Sequence, residues 1–239
     1  MAESAIAAKY VAFCDVLGFS TAVLTDFDST VALYRQFQTD VKGWPFPQRA
    51  QVSVYSDSIL VVSDDLPAVV NTVVALNWAA LMQNWLIRGG IAHGKYWEDK
   101  DGGNLFVVSD ALVKAVQLEK TVKVPAVVVS DEIALGIEAW VPRFQHGIFK
   151  APLLHFEEKT LVNPFNELWF NSAVIRARNL LDTHTKHKEK YDWFLSLADA
   201  VRRDDLLVPQ TAMTEMIKLG VLQRKQDAGD AQGKRRGLT

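Results

Sequence analysis

The chain predicts a mixed α/β fold in which strands and helices alternate in the order β-α-β-β-α-β, followed by a helical extension. Three observations predict it. Short apolar runs that read as buried strands recur between segments of helical periodicity, and Gly, Pro and Asp residues punctuate them. After about Lys150 the composition changes, and residues 165–200 carry a helical pattern rich in Trp, Phe and Leu.

Residues 10–14 form the first strand. Ser29 is the expected N-cap of the next helix, whose stripe Val31, Tyr34, Phe37 and Val41 runs to a stop at Gly43-Trp44-Pro45. Residues 51–63 read as one long strand, the second half of a central hairpin. Residues 67–85 form a helix with an apolar face wide enough to be buried against the sheet. A strand at 86–93, a polar turn at 99–103, a helix at 110–119, a strand at 126–130 and a helix opened by Asp131-Glu132 follow. This is the ferredoxin-like split arrangement with extra elements. The expected units are residues 1–150 as the sheet domain, 151–222 as the helical extension and 223–239 as a disordered tail without periodicity. No internal repeat is visible.

Composition bounds the class. With 239 residues, 49% hydrophobic and 23% charged, the chain can build one substantial domain with an appendage or two small ones. A formal net charge of -2 provides no basic field for nucleic acid. Cys14 is the only cysteine, which excludes an internal disulfide and fits a reducing compartment; its position in an apolar run makes it a buried strand residue rather than a nucleophile. Nothing resembles a signal peptide, and the longest apolar stretch, residues 66–86, is interrupted by Asn71, Asn77, Gln83 and Asn84. A cytoplasmic protein with no membrane partner is expected.

Two carboxylates break this pattern. Asp15 in Phe13-Cys14-Asp15-Val16-Leu17-Gly18-Phe19-Ser20 and Asp57 in Val54-Tyr55-Ser56-Asp57-Ser58-Ile59-Leu60 each interrupt an apolar run. An ionised carboxylate among apolar neighbours is costly unless a cation or hydrogen-bond donors compensate it. If the two strands lie side by side, one divalent ion would serve both acids, and oxygen ligands suit Mg2+ or Mn2+. Each acid alone also suits a turn former or a solvated edge. Gly18 permits a tight turn, and Ser20-Thr21 can open a helix whose N-H groups face an anion such as a triphosphate. Tyr55, two residues before Asp57 on a strand, would share its face and could stack on a base, or be a core aromatic. His184 and His187 lie in a polar run that reads as a solvated face.

These strings resemble the class III nucleotidyl cyclases. Asp15-Val16-Leu17-Gly18-Phe19 is similar to their first metal motif and Tyr55-Ser56-Asp57-Ser58 to their second. Arg88-Gly89-Gly90-Ile91-Ala92-His93-Gly94 is similar to the following strand and turn, and residues 109–119 to their substrate-side helix. Order and spacing match over about residues 8–135. Within the family the chain most resembles the short pyrimidine cyclases of bacterial anti-phage signalling, the Pycsar type.

The resemblance implies a homodimeric uridylate cyclase that converts UTP to cyclic UMP and pyrophosphate, with cytidylate cyclase as the alternative and a separate effector for the product. It implies two Mn2+ or Mg2+ ions, with Asp15 and Asp57 as catalytic metal ligands and Val16 contributing its carbonyl. Gly18 and Phe19 would cradle the phosphates by backbone N-H groups, and Tyr55 would contact the base. The chain departs from the purine cyclases at Ser53 and Phe106, where adenylyl cyclases select adenine, and at Val113 and Gln117, where they carry a ribose-orienting Asn and a transition-state Arg. Lys114 and Lys120 are candidates to replace that Arg. A non-catalytic nucleotide-binding module is the reading from another class. A diguanylate cyclase is disfavoured because its Gly-Gly-Asp/Glu-Glu-Phe signature is missing.

Overall fold

The computed structural model describes residues 6–43, 50–101, 104–134, 153–165, 169–183 and 187–203. Strand β1 (Ala7–Leu17) alternates: Ala12, Cys14 and Val16 point into the larger apolar cluster, while Val11 and Phe13 join a smaller one on the opposite face. Helices α1 (Phe19–Thr25) and α2 (Phe27–Lys42) follow. The N-cap of α2 is Asp26, whose carboxylate accepts the Ser29 N-H at 3.1 Å; Ser29 lies inside the first turn instead of capping it. Gly43 closes α2, and Trp44 and Pro45 lie outside the described residues.

The stretch expected as one strand is itself a hairpin. β2 (Gln51–Tyr55) turns at Ser56-Asp57 into β3 (Ser58–Ser63), with Ser56 at φ 55°. Helix α3 (Leu66–Met82) then crosses to β4 (Leu86–Asp101). β1 pairs antiparallel with both β3 and β4, so it splits the β3-α3-β4 crossover. The local strand order β2-β3-β1-β4 is the ferredoxin-like one.

The sheet does not stop there. β4 runs well past His93, and Asp99–Asp101, expected in a turn, pair with β5 (Asn104–Ser109). Helix α4 (Asp110–Thr121) is capped by Ser109, whose hydroxyl accepts the Leu112 N-H at 3.0 Å, and it covers the face of β1 and β4 that carries Val11 and Ala92. β6 (Val127–Val129) lies parallel to β4 and precedes α5 (Asp131–Ala134). Residues 153–162, expected in the helical extension, form the hairpin β7 (Leu153–Phe156) and β8 (Lys159–Val162), and β8 pairs with β6 to lengthen the same sheet. Helices α6 (Phe170–Thr183) and α7 (Lys188–Arg203) pack with α3 in the larger core cluster. The expected tail, residues 223–239, lies outside the described residues. Among the described residues no helix is long and apolar enough to cross a membrane.

Candidate active site

Strand alternation sets the position of Asp15. It shares a face with Val11 and Phe13, the face covered by α4, and its register partners are Ser58 on β3 and Arg88 on β4. Cross-strand pairing therefore brings a guanidinium to the carboxylate: Arg88 Nη2 lies 3.3 Å from Asp15 Oδ2, and the two side chains are 28% and 24% exposed.

Helix α4 supplies a third member. Glu119 Oε1 lies 2.8 Å from Arg88 Nε, with its side chain 7% exposed. This is a charge contact without hydrogen-bond alignment, since neither atom has a hydrogen-bond partner of proper geometry. Arg88 Nη1 also donates to the Val122 carbonyl at 3.4 Å. The close approach of α4 depends on Gly90, where a Cβ would come within 2.6 Å of the Ala115 carbonyl oxygen.

Asp57 arrives from the β2–β3 turn rather than from mid-strand. Its carbonyl accepts the Val16 N-H at 2.9 Å, which ties the turn to the end of β1. Its Oδ2 accepts from the Ser20 hydroxyl at 3.2 Å, which ties it to α1. The turn thus ties Asp57 to the end of β1, by a local structure other than the mid-strand position expected. Burial pushes the Asp15 carboxyl above the usual carboxylate range, Arg88 opposes the shift, and the charges of Asp57 and Glu119 add to it.

The donor set fits a divalent cation. Asp15 and Glu119 share the Arg88 guanidinium, and the charge of Asp57 also reaches Asp15, so three carboxylates stand against one cation here. All the donors are hard oxygens, which suits Mg2+ or Mn2+. Among the described residues no group of three or more His, Cys, Asp or Glu side chains is arranged to hold an ion. An ion here would therefore rest on Asp15, Asp57, backbone oxygen such as that of Val16, and oxygens from solvent or substrate.

Beside the acids, Gly18 caps α1 at φ 82°, a conformation that favours glycine. Phe19 is buried against Tyr34 and Trp85, each with its ring centroid 5.5 Å away, so its side chain anchors the turn. The Tyr34 phenol is pushed up by burial and then by the Asp57 charge. Tyr55 is 64% exposed at the end of β2, opposite Ser58, so it is not a core aromatic; the turn after it removes the strand relation to Asp57.

The cations proposed on α4 are differently placed. Lys114 is engaged by Glu132 at 3.5 Å and the His93 carbonyl at 3.4 Å, and Lys120 is exposed, as are Val113 and Gln117. Arg88, not a lysine of α4, is the cation in contact with Asp15. Its signal in the sequence is a charge in the apolar run Leu86-Ile87-Arg88-Gly89. His187 is also no remote solvated residue: its Nε2 lies 3.8 Å from where a Gly18 Cβ would stand, whereas His184 lies outside the described residues.

No protein-family model and no curated protein matches the chain. Among solved structures, the adenylyl cyclase CyaB from P. aeruginosa is similar at 12% identity and TM-score 0.49, over 67% of this chain and 94% of that one. The catalytic core of a rhodopsin-guanylyl cyclase with converted specificity, in complex with ATPalphaS, is similar at 16% identity and TM-score 0.46, over 68% and 99%. The non-canonical dimeric guanylyl cyclase domain of the RhoGC fusion protein from the aquatic fungus Blastocladiella emersonii is similar at 16% identity and TM-score 0.45, over 68% and 96%.

Proposed function

We propose that this chain is a nucleotidyl cyclase acting on a pyrimidine nucleoside triphosphate, with UTP preferred to CTP, and forming the 3',5'-cyclic nucleotide and pyrophosphate. The observation that carries the reading is the convergence of Asp15 and Asp57 at the end of β1, in a cluster with excess negative charge beside a glycine turn. The motif resemblance of the strings around Asp15, Asp57 and Arg88 supplies the reaction type.

In this mechanism the 3'-hydroxyl attacks the α-phosphorus of the same molecule and pyrophosphate leaves, so the protein's task is positioning and charge stabilisation. Divalent ions bound at the two acids would acidify the hydroxyl and neutralise triphosphate oxygens. Asp15 and Asp57 would hold those ions, with the Val16 carbonyl as a further oxygen. Gly18 and Phe19 orient the phosphates through the backbone, which the buried Phe19 ring fixes in place. Tyr55 presents an exposed ring to the base. Arg88 restrains Asp15 through its contact with Oδ2.

The working form is a homodimer. Phe106, Val108 and Val113 are 53%, 70% and 56% exposed, and Val113 and Gln117 sit on the outward side of α4. A second copy packed against α4 and the exposed face of β5 would complete each substrate site. In the cell the product would serve as a cytoplasmic second messenger for a separate effector in anti-phage defence. A non-catalytic nucleotide-binding module is the second reading, favoured by Val113 and Gln117 in place of the Asn and Arg of active purine cyclases.

The test is incubation of purified protein with each of the four ribonucleoside triphosphates and Mn2+, with products resolved by mass. Cyclic UMP from the unaltered chain and none from Asp57→Ala supports the enzyme. Binding of a triphosphate without turnover by either form supports the module and overturns the enzymatic reading.

A further inference from the structure

We infer that Glu119, a residue of α4 outside the metal-binding pair, sets the divalent-cation affinity of the site by neutralising Arg88. The inference rests on the proposed reading that Asp15 and Asp57 hold an ion. Its structural basis is independent of that reading: a 5% exposed glutamate stands 2.8 Å from the guanidinium that grips Asp15.

The physical difficulty is that Arg88 is a fixed positive charge on a carboxylate that must also accept a doubly charged ion. Left alone, it would repel the ion and compete with it for Asp15 Oδ2. Glu119 removes most of that penalty. With it, Asp15, Asp57, Arg88 and Glu119 carry a net charge of about -2, and without it about -1. Glu119 is poorly suited to a purely structural ion pair, because its contact with Arg88 lacks hydrogen-bond alignment and its Oε1 has no other partner. A buried, misaligned carboxylate of this kind acts chiefly through its field. The guanidinium in turn is restrained by its donation to the Val122 carbonyl at 3.4 Å. Glu119 is thus a positioning residue: it touches Arg88, and Arg88 touches the ligand.

The experiment is Mn2+ titration of the full-length protein by electron paramagnetic resonance, with no nucleotide present. Glu119→Gln keeps the shape and removes the charge; it is expected to weaken Mn2+ binding about tenfold, and Arg88→Gln to tighten it by a similar factor. The double variant Glu119→Gln, Arg88→Gln restores the net charge and is expected to bind within about twofold of the unaltered chain. A merely structural Glu119 would leave the double variant no better than the single one, which overturns the inference. Equal affinity of Glu119→Gln and the unaltered chain also overturns it. If Glu119→Gln does not fold, Arg88→Gln decides alone, with unchanged or weaker affinity as the refuting result. Absence of Mn2+ binding by the unaltered chain refutes the metal reading itself, and is thereby distinguished from failure of the Glu119 role.

Discussion

Substituting Gly90 by alanine tests how the site is assembled. Gly90 lies on β4 between Phe13 of β1 and Val128 of β6, directly under α4. A Cβ there would stand 2.6 Å from the Ala115 carbonyl oxygen, 2.8 Å from Leu118 Cβ and 3.0 Å from Leu118 Cγ. The nearest atom is helix backbone, so no rotamer change relieves the clash. Helix α4 must lift by roughly 0.8 Å to recover ordinary contact. Overpacking of this kind costs about 1–3 kcal/mol, and for a chain of this size each kcal/mol lowers Tm by about 2–4 °C. A drop of roughly 2–12 °C in differential scanning calorimetry is expected for the metal-free protein. The same lift carries Glu119 away from Arg88, so Mn2+ affinity should fall with the stability. An unchanged Tm would refute the claim that glycine is needed for the approach of α4. A lowered Tm with unaltered Mn2+ binding would refute the link between that approach and the ion.

Three further outcomes follow from the geometry. Arg88→Met leaves Glu119 and Asp15 without their cation and should cost about 2–3 kcal/mol at pH 7.5 by urea unfolding, below the value for a fully buried pair because Arg88 and Asp15 keep about a quarter of their exposure. The Asp15 carboxyl is already raised by burial, so its stabilising contribution exists in the protonated form below the unfolded value near 3.8 and is lost as pH rises through the folded one. Removing Arg88 enlarges that loss, and the deficit of the variant should therefore widen from acid to neutral pH; a pH-independent deficit would contradict the assignment. The Cys14 thiol is fully buried and pushed up to about 12, first by desolvation and then by the charges of Glu119 and Asp15. It should resist a thiol reagent at pH 8 in the native protein and react at once in urea; rapid native labelling would show that β1 opens. Tyr55→Ala should leave stability within about 0.5 kcal/mol, since the ring is exposed, while raising the KM for the nucleotide. An unchanged KM would remove Tyr55 from the base site.

Local patterns were legible wherever local chemistry decides the structure. The alternation around Cys14, the apolar width of α3 and the turn at Gly18 all follow from side-chain period and backbone freedom. The hairpin at Ser56-Asp57 was not, because the turn carries neither Gly nor Asn and the apolar alternation runs through it; Ser56 takes the left-handed conformation that glycine would have advertised. Strand register is a long-range property, and so the pairing of Asp15 with Arg88 could not be read from either string. The same limit hid Glu119, which falls in line only when α4 settles on β4. His187 illustrates a related limit: a polar run looks solvated until the fold carries it back to the glycine turn.

Helix α3 buries Leu66, Val69, Val70, Val73, Leu76 and Ala80 among other residues around most of its circumference, and α6 supplies part of that cover while Arg176 donates to the Met82 carbonyl at its end. Trp78 and Trp169 meet at 6.0 Å across the same seam. Cutting the polypeptide at residue 150 would strip this roof and wet a broad greasy surface, so a shortened fragment should clump during purification. Anyone hoping to graft the front half onto another protein must bring the rear helices along.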